Sequence, residues 1–141
     1  MERPGAATDA SDVAMASWRD VSRSALALPG TSESLSSQGH RQWRVGDKLF
    51  AWERPLRRAD FEALGDAAPK GAILGLRTAD LEMKDVMLAS DPNVYFTTPH
   101  FNGYPAILVR LGAVAPKALN EAIVEAWLAR APKRLAAQYV K

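Results

Sequence analysis

Two stretches constrain this chain most: "RQWRVGDKLFAWE" at residues 41–53 and "FTTPHFNGYPAILVRL" at residues 96–111. Each sets a glycine-containing pair between runs of strand-forming residues, the pattern of a β-hairpin turn. Strands joined by tight turns pair antiparallel, so a fold built on both is an antiparallel sheet. Centring the first turn on Gly46-Asp47 pairs Val45 with Lys48, Trp43 with Phe50 and Arg41 with Trp52. Opposed residues share a face, so Trp43, Val45, Phe50 and Trp52 form one apolar side. A type I′ turn at Asn102-Gly103 pairs Thr98 with Ile107, Phe96 with Val109 and Val94 with Leu111. Phe101 and Tyr104 then flank that turn on the other face. Pro105 lacks an amide hydrogen and points out of the ladder.

Helical spacing frames the hairpins. Ala14, Trp18, Val21, Ala25 and Leu28 form one stripe of a helix over 12–28, with Ser11 as its cap and "LPGTS" as its end. The serine-rich "TSESLSSQGH" reads as a short strand or an extended lead-in. "RPLRRADFEALGDAAPKG" is an excursion with a helical turn near Asp60–Leu64, and "AILGLRT" is a further strand with Leu74 and Leu76 on one face. Thr78 is placed to cap a helix over 79–90, buried through Leu81, Leu88 and the Met83/Met87 pair. Pro116 opens a last helix with Leu119, Ile123 and Trp127 inward, and Pro132 breaks it before a second short one. Residues 1–10 read as a flexible tail and 11–141 as one domain. The order predicts an α+β fold of two layers, an antiparallel sheet with helices on one face.

Chemistry is sparse. The 141 residues hold no cysteine, which excludes thiol catalysis, cysteine-ligated zinc and disulfides and suits a reducing cytoplasm. No run approaches the ~20 apolar residues of a membrane span, and the N-terminus lacks the pattern of a signal peptide. His40 and His100 are isolated, no phosphate-loop or nucleophile-elbow pattern occurs, and no acid–base dyad stands out. No catalytic residue, metal ligand or cofactor is therefore expected. His40 is expected in solvent, and His100 is assigned to packing and hydrogen bonding at the turn. The four tryptophans are assigned to the core. Trp52, beside Arg54, Arg57 and Arg58, is the one place where an aromatic could instead stack on a nucleic-acid base.

Net charge is +2, but it is unevenly spread: residues 39–58 carry six basic and two acidic side chains, and residues 113–141 carry five and two. Two basic blocks result, one over the first hairpin and "RPLRR", the other around "RAPKR".

"RVGDKLFAW", "ILGL" before a helix, "FTTPHFNGYPAILVRL" and a proline-started helix ending "AWLARAPKRLA", in that order, resemble the MmcQ/YjbR family over roughly residues 12–140. The family pattern has Gly-Gly-Lys where this chain has Gly46-Asp47-Lys48, and the "RPLRRADFEALGDAAPKG" segment is longer than in short family members. The resemblance implies an α-β(3)-α-β(2)-α order similar to type III secretion chaperones. It also implies DNA binding, on the analogy of the hairpins to wings.

Two functions are weighed. One is sequence-independent DNA binding through Arg41, Arg44, Lys48, Arg54, Arg57 and Arg58, with Lys133 and Arg134 of the second block. The alternative is a protein- or small-ligand-binding domain that uses the second hairpin tip, His100, Phe101, Asn102 and Tyr104, with no nucleic-acid role. An enzyme comes third and would need a cleft pairing His100 with a carboxylate. A monomer is expected.

Overall fold

Gly46 takes φ +61° in the computed structural model, which describes residues 15–140, and Val45 faces Lys48 across the first turn as the sequence predicts. This turn joins β2 (Arg41–Val45) to β3 (Lys48–Glu53). Arg44 then faces Leu49, but Trp43 faces Ala51 and Gln42 faces Trp52, so Phe50 is an extra residue on β3. This β-bulge corrects the predicted register. It lets Phe50 and Ala51 both enter the main core, fully buried, and moves Trp52 to the opposite face of the sheet.

Six strands form the antiparallel sheet in the order β1-β2-β3-β4-β6-β5. The serine-rich segment supplies β1 (Thr31–Leu35), an edge strand; β4 (Ile73–Arg77) and β6 (Ala106–Arg110) are central; β5 is only Tyr95–Phe96. Leu74 and Leu76 of β4 and Ile107 and Val109 of β6 face α1 (Trp18–Leu26) and α4 (Pro116–Arg130). Val21, Ala25, Leu119, Ile123 and Trp127 close that core from the helix side. The indole N–H groups of the two fully buried tryptophans both have partners: Trp43 donates to Glu33 Oε1 at 2.8 Å and Trp127 to the Pro29 carbonyl at 3.0 Å.

Helix α1 starts at Trp18, with Ser17 at its cap and the Asp20 carboxylate accepting from the Ser17 amide at 2.9 Å. The predicted start near Asp12, its Ser11 cap and the tail at 1–10 lie outside the described residues. The short α2 (Arg58–Leu64) falls where a helical turn is predicted. Helix α3 (Leu81–Ser90) is capped by Asp80, whose side chain accepts from the Met83 amide, while the Thr78 hydroxyl donates to the Asp80 carbonyl. Its predicted apolar face is only partly inward. Met87 and Leu88 pack on the core, but Leu81 and Met83 are exposed, and the buried residue of α3 is Lys84. Pro132 separates α4 from α5 (Lys133–Val140), as predicted.

The second hairpin departs from its predicted register. Phe96 pairs with Leu108 and Tyr95 with Val109, a slip of one residue that carries Phe96 to the second face of the sheet. Pro99 and Pro105 offer no amide to a ladder, so residues 99–101 coil into a 3₁₀ turn instead. Asn102 at φ −60°, ψ 131° and Gly103 at φ +73° then make a type II turn, closed by the Tyr104 amide on the Phe101 carbonyl at 3.1 Å. The predicted type I′ turn does not form.

Candidate ligand groove

The second face of the sheet carries its own apolar cluster: Ile73, Phe96, Phe101, Ala106 and Leu108, with Trp52, Leu56 and Leu64 packed against it. Trp52 lies over Gly75, its partner in the β3–β4 ladder. A Cβ on Gly75 would sit 2.7 Å from both Cζ2 and Nε1 of the indole, so the ring lies flat on the sheet only because residue 75 has no side chain. The tip packs beside it, with the Phe101 ring 6.4 Å from Trp52, His100 edge-on to Phe101 at 4.8 Å, and the Tyr104 ring 6.4 Å from Phe101.

Two recesses open around this aromatic ridge and share Trp52, His100 and Phe101. One, of about 440 Å³, is rimmed by His40, Gln42, Glu53 and Arg57; the other, of about 550 Å³, by Leu49, Arg77, Tyr104 and Arg130. His40 is thus half-buried at a recess wall, not free in solvent as predicted. Its amide donates to the Ser36 hydroxyl at 3.1 Å.

A buried ion pair braces the first recess. Arg54 and Asp60 are 5% and 3% exposed, with Nη1 and Oδ2 3.0 Å apart, and the Arg54 guanidinium lies 5.3 Å from the centre of the Phe101 ring. Burial alone would raise the Asp60 pKa. The Arg57 amide, which donates to it at 2.8 Å, and the Arg54 charge outweigh burial and hold it below the ordinary carboxylate value.

Lys84 braces the tip from behind. It is 5% exposed, and its ammonium donates to the Phe101 carbonyl and, at 2.8 Å, to the Tyr104 carbonyl. Burial pulls its pKa down, and the neighbouring Asp85 partly offsets this. A lysine on α3 thereby fixes both ends of the type II turn.

The second recess is held differently. Arg77, the last residue of β4, donates from Nε to the Pro105 carbonyl at 3.1 Å and stacks on Tyr104 at 5.0 Å. Burial lowers its pKa; Tyr104 opposes that and the like charge of Arg130 adds to it. Arg130 comes from the C-terminal end of α4, and its Nε is buried without a partner among the described residues.

The predicted basic residues differ in their surroundings. Arg41 pairs with Glu53 at 3.2 Å and lies 5.3 Å from the centre of the Trp18 ring. Arg44 donates to Gln42 and Ser34. Arg54 is buried with Asp60, and Arg58 pairs with Glu62 at 3.5 Å. Lys48 and Arg57 are exposed, whereas Lys133 and Arg134 begin α5, whose Leu135 joins the core on the helix side. Of the predicted tip residues, Phe101 is buried at 7% and His100, Asn102 and Tyr104 are exposed. Arg77, Arg130 and Lys84 were not singled out from sequence, although two had a signal. Alternation in "ILGLR" puts Arg77 opposite the core-facing leucines, and Arg130 follows Trp127 by three on the helix stripe.

A six-stranded antiparallel sheet with its main helices on one face and an aromatic groove on the other defines an α+β domain. The chain belongs to the YjbR family, whose pattern matches residues 26–129. Uncharacterized proteins of Mycobacterium tuberculosis H37Rv and Mycobacterium bovis are 52% identical to it over 124 residues, covering 86% of this chain and 93% of theirs. The crystal structure of Deinococcus radiodurans protein DR2400, which has a DUF419 domain, superposes with a TM-score of 0.60 at 19% identity, over 81% of this chain and 78% of that one. At that identity the likeness concerns the fold alone.

Proposed function

We propose that this chain is a ligand-binding domain whose site is the groove on the second face of the sheet, around Trp52, His100 and Phe101. The observation that carries the reading is the meeting of two recesses, of about 440 and 550 Å³, at one aromatic ridge. Both are within the size range of small-ligand sites, ~300–1,000 Å³, and both mix aromatic walls with a few polar groups. Lys84 and the Arg54–Asp60 pair hold this ridge in place. Such bracing suits a preformed site. The lack of cysteine suits work in the cytoplasm, and no helix among the described residues is long and apolar enough to cross a membrane.

Sequence-independent DNA binding is the weaker reading. Three of its eight basic residues are paired with carboxylates, and one of these, Arg54, is buried. Lys48, Arg57, Lys133 and Arg134 are exposed and outside ion pairs among the described residues, and they are the footprint left for it.

The test has two arms. A labelled random duplex, titrated with protein at about 50 and about 200 mM salt, should show no binding that falls steeply with salt. In the second arm, ¹H–¹⁵N spectra recorded with benzyl alcohol as an aromatic probe should shift the Trp52 indole and the backbone amides of 100–104. Steeply salt-dependent duplex binding, lost in an Arg57→Glu/Arg58→Glu variant, would overturn the proposal. So would probe shifts that spare Trp52.

A further inference from the structure

The second recess differs from the rest of the molecule in how it treats charge. Where the fold buries Arg54, it supplies Asp60; where Arg41 meets the sheet, it supplies Glu53. Arg77 and Arg130 come from different elements, β4 and α4, and line one recess whose wall contains no aspartate or glutamate. Neither guanidinium is in an ion pair among the described residues. Two like charges brought together in a partly desolvated hollow repel each other and lose hydration, and no carboxylate of the recess wall offsets that repulsion. Most of their donors also have no protein acceptor among the described residues. Arg77 uses only Nε, toward the Pro105 carbonyl, and Arg130 has no acceptor among the described residues. Stacking on Tyr104 fixes the Arg77 guanidinium plane, which preorganises its remaining N–H groups.

We infer that the hollow between Arg77 and Arg130 is an oxyanion subsite, and that the ligand is a planar aromatic molecule carrying a phosphate monoester or a carboxylate. The inference rests on the groove reading above and adds the chemistry of the ligand. An oxyanion between the two guanidiniums accepts paired N–H bonds and removes their repulsion, as arginine forks do for carboxylates and phosphates. The ring is specified by what adjoins the subsite. Trp52, Phe101 and Tyr104 line the same recess, and Trp52 lies flat over Gly75, so a planar group can lie against it. The hollow holds about 550 Å³, room for a one- or two-ring compound. His100, at the junction of the two recesses, sits where a further polar substituent would reach.

The experiment is an NMR titration of the full chain with four probes: phenyl phosphate, benzoate, inorganic phosphate and benzyl alcohol. Phenyl phosphate or benzoate should shift the Nε–H signals of Arg77 and Arg130 together with the Trp52 indole. Either should also bind more tightly than inorganic phosphate or benzyl alcohol. Arg77→Gln and Arg130→Gln should each weaken the better acid by about tenfold, the loss of one charge-assisted hydrogen-bonding group. Arg58→Gln, exposed and outside both recesses, should change affinity less than about twofold, on the same scale. Circular dichroism of each variant establishes that it is folded. A preference of phenyl phosphate over benzoate, or the reverse, identifies which acid the subsite takes. Equal affinity of the acids for wild type and both arginine variants would overturn the oxyanion subsite. If benzyl alcohol then still shifts Trp52, the groove reading stands without it. If no probe shifts Trp52, both fall.

Discussion

Replacing Gly75 with alanine should change the sign of its effect according to what occupies position 52. Gly75 is not among the glycines with positive φ, so its backbone accepts alanine. A Cβ there lands 2.7 Å from two atoms of the Trp52 indole, closer than real contacts allow, and the ring must lift off the sheet. Overpacking of this kind costs about 1–3 kcal/mol. Against it stands the smaller entropy of the unfolded chain, worth about 0.4–1 kcal/mol when glycine becomes alanine at a compatible site. The net expectation is a loss of about 1–2 kcal/mol, from the same two terms. In a Trp52→Ala background the clash is gone and only the entropic gain remains, so Gly75→Ala should stabilise by about 0.5 kcal/mol or more. The coupling energy of the four-protein cycle is then roughly 2 kcal/mol, well above the error of additivity for independent sites. Urea denaturation followed by far-ultraviolet circular dichroism measures all four stabilities. An equal cost of Gly75→Ala in both backgrounds would mean that the indole does not lie over residue 75, and the floor of the groove would have to be redrawn.

Asp60→Asn leaves Arg54 buried without its counter-charge and should cost about 3–5 kcal/mol, read as a lowered denaturation midpoint. The same pair gives an acid limb: the folded Asp60 pKa lies below its ordinary value, so its stabilisation is complete above about pH 5 and is lost as pH falls through the folded value. The thermal midpoint of Asp60→Asn should accordingly fall less between pH 5 and pH 3, on the scale of that shift, than wild type does. Lys84→Met removes the donor that holds the Phe101 and Tyr104 carbonyls, costs about 1–3 kcal/mol, and should speed hydrogen exchange of the Tyr104 amide about tenfold or more. Unchanged exchange at Tyr104 would show that the tip holds its shape without the lysine. Gly103→Ala, at φ +73°, should lose about 1 kcal/mol in the same denaturation assay, and no loss would argue against the type II turn.

The fold was legible because periodicity and punctuation agree over most of the chain. Leu119, Ile123 and Trp127 repeat at helical spacing and are all fully buried; Pro116 and Pro132 mark the ends of α4; Gly46 makes the turn its sequence demands. Of the groove, only the tip residues His100, Phe101, Asn102 and Tyr104 were legible, and the cause is physical. Alternation assigns a strand residue to a face only while the register holds, and a shift of one residue reverses every assignment beyond it. The bulge at Phe50 is one such shift, and the early end of the ladder before Pro99 is another. The first moves Trp52 from the helix-covered face to the open one. The second moves Phe96 the same way and frees Phe101 to coil in beside it. The two irregularities lie on different hairpins and deliver aromatic residues to one patch, where Gly75 leaves the space they need. A regular version of either hairpin would put Trp52 or Phe96 into the helix-side core and take that aromatic from the cluster over Ile73, Ala106 and Leu108. Bulges and broken ladders weaken a sheet locally and are over-represented beside binding sites. Here they build the groove, and that convergence is the strongest structural reason to seek the function of the chain there.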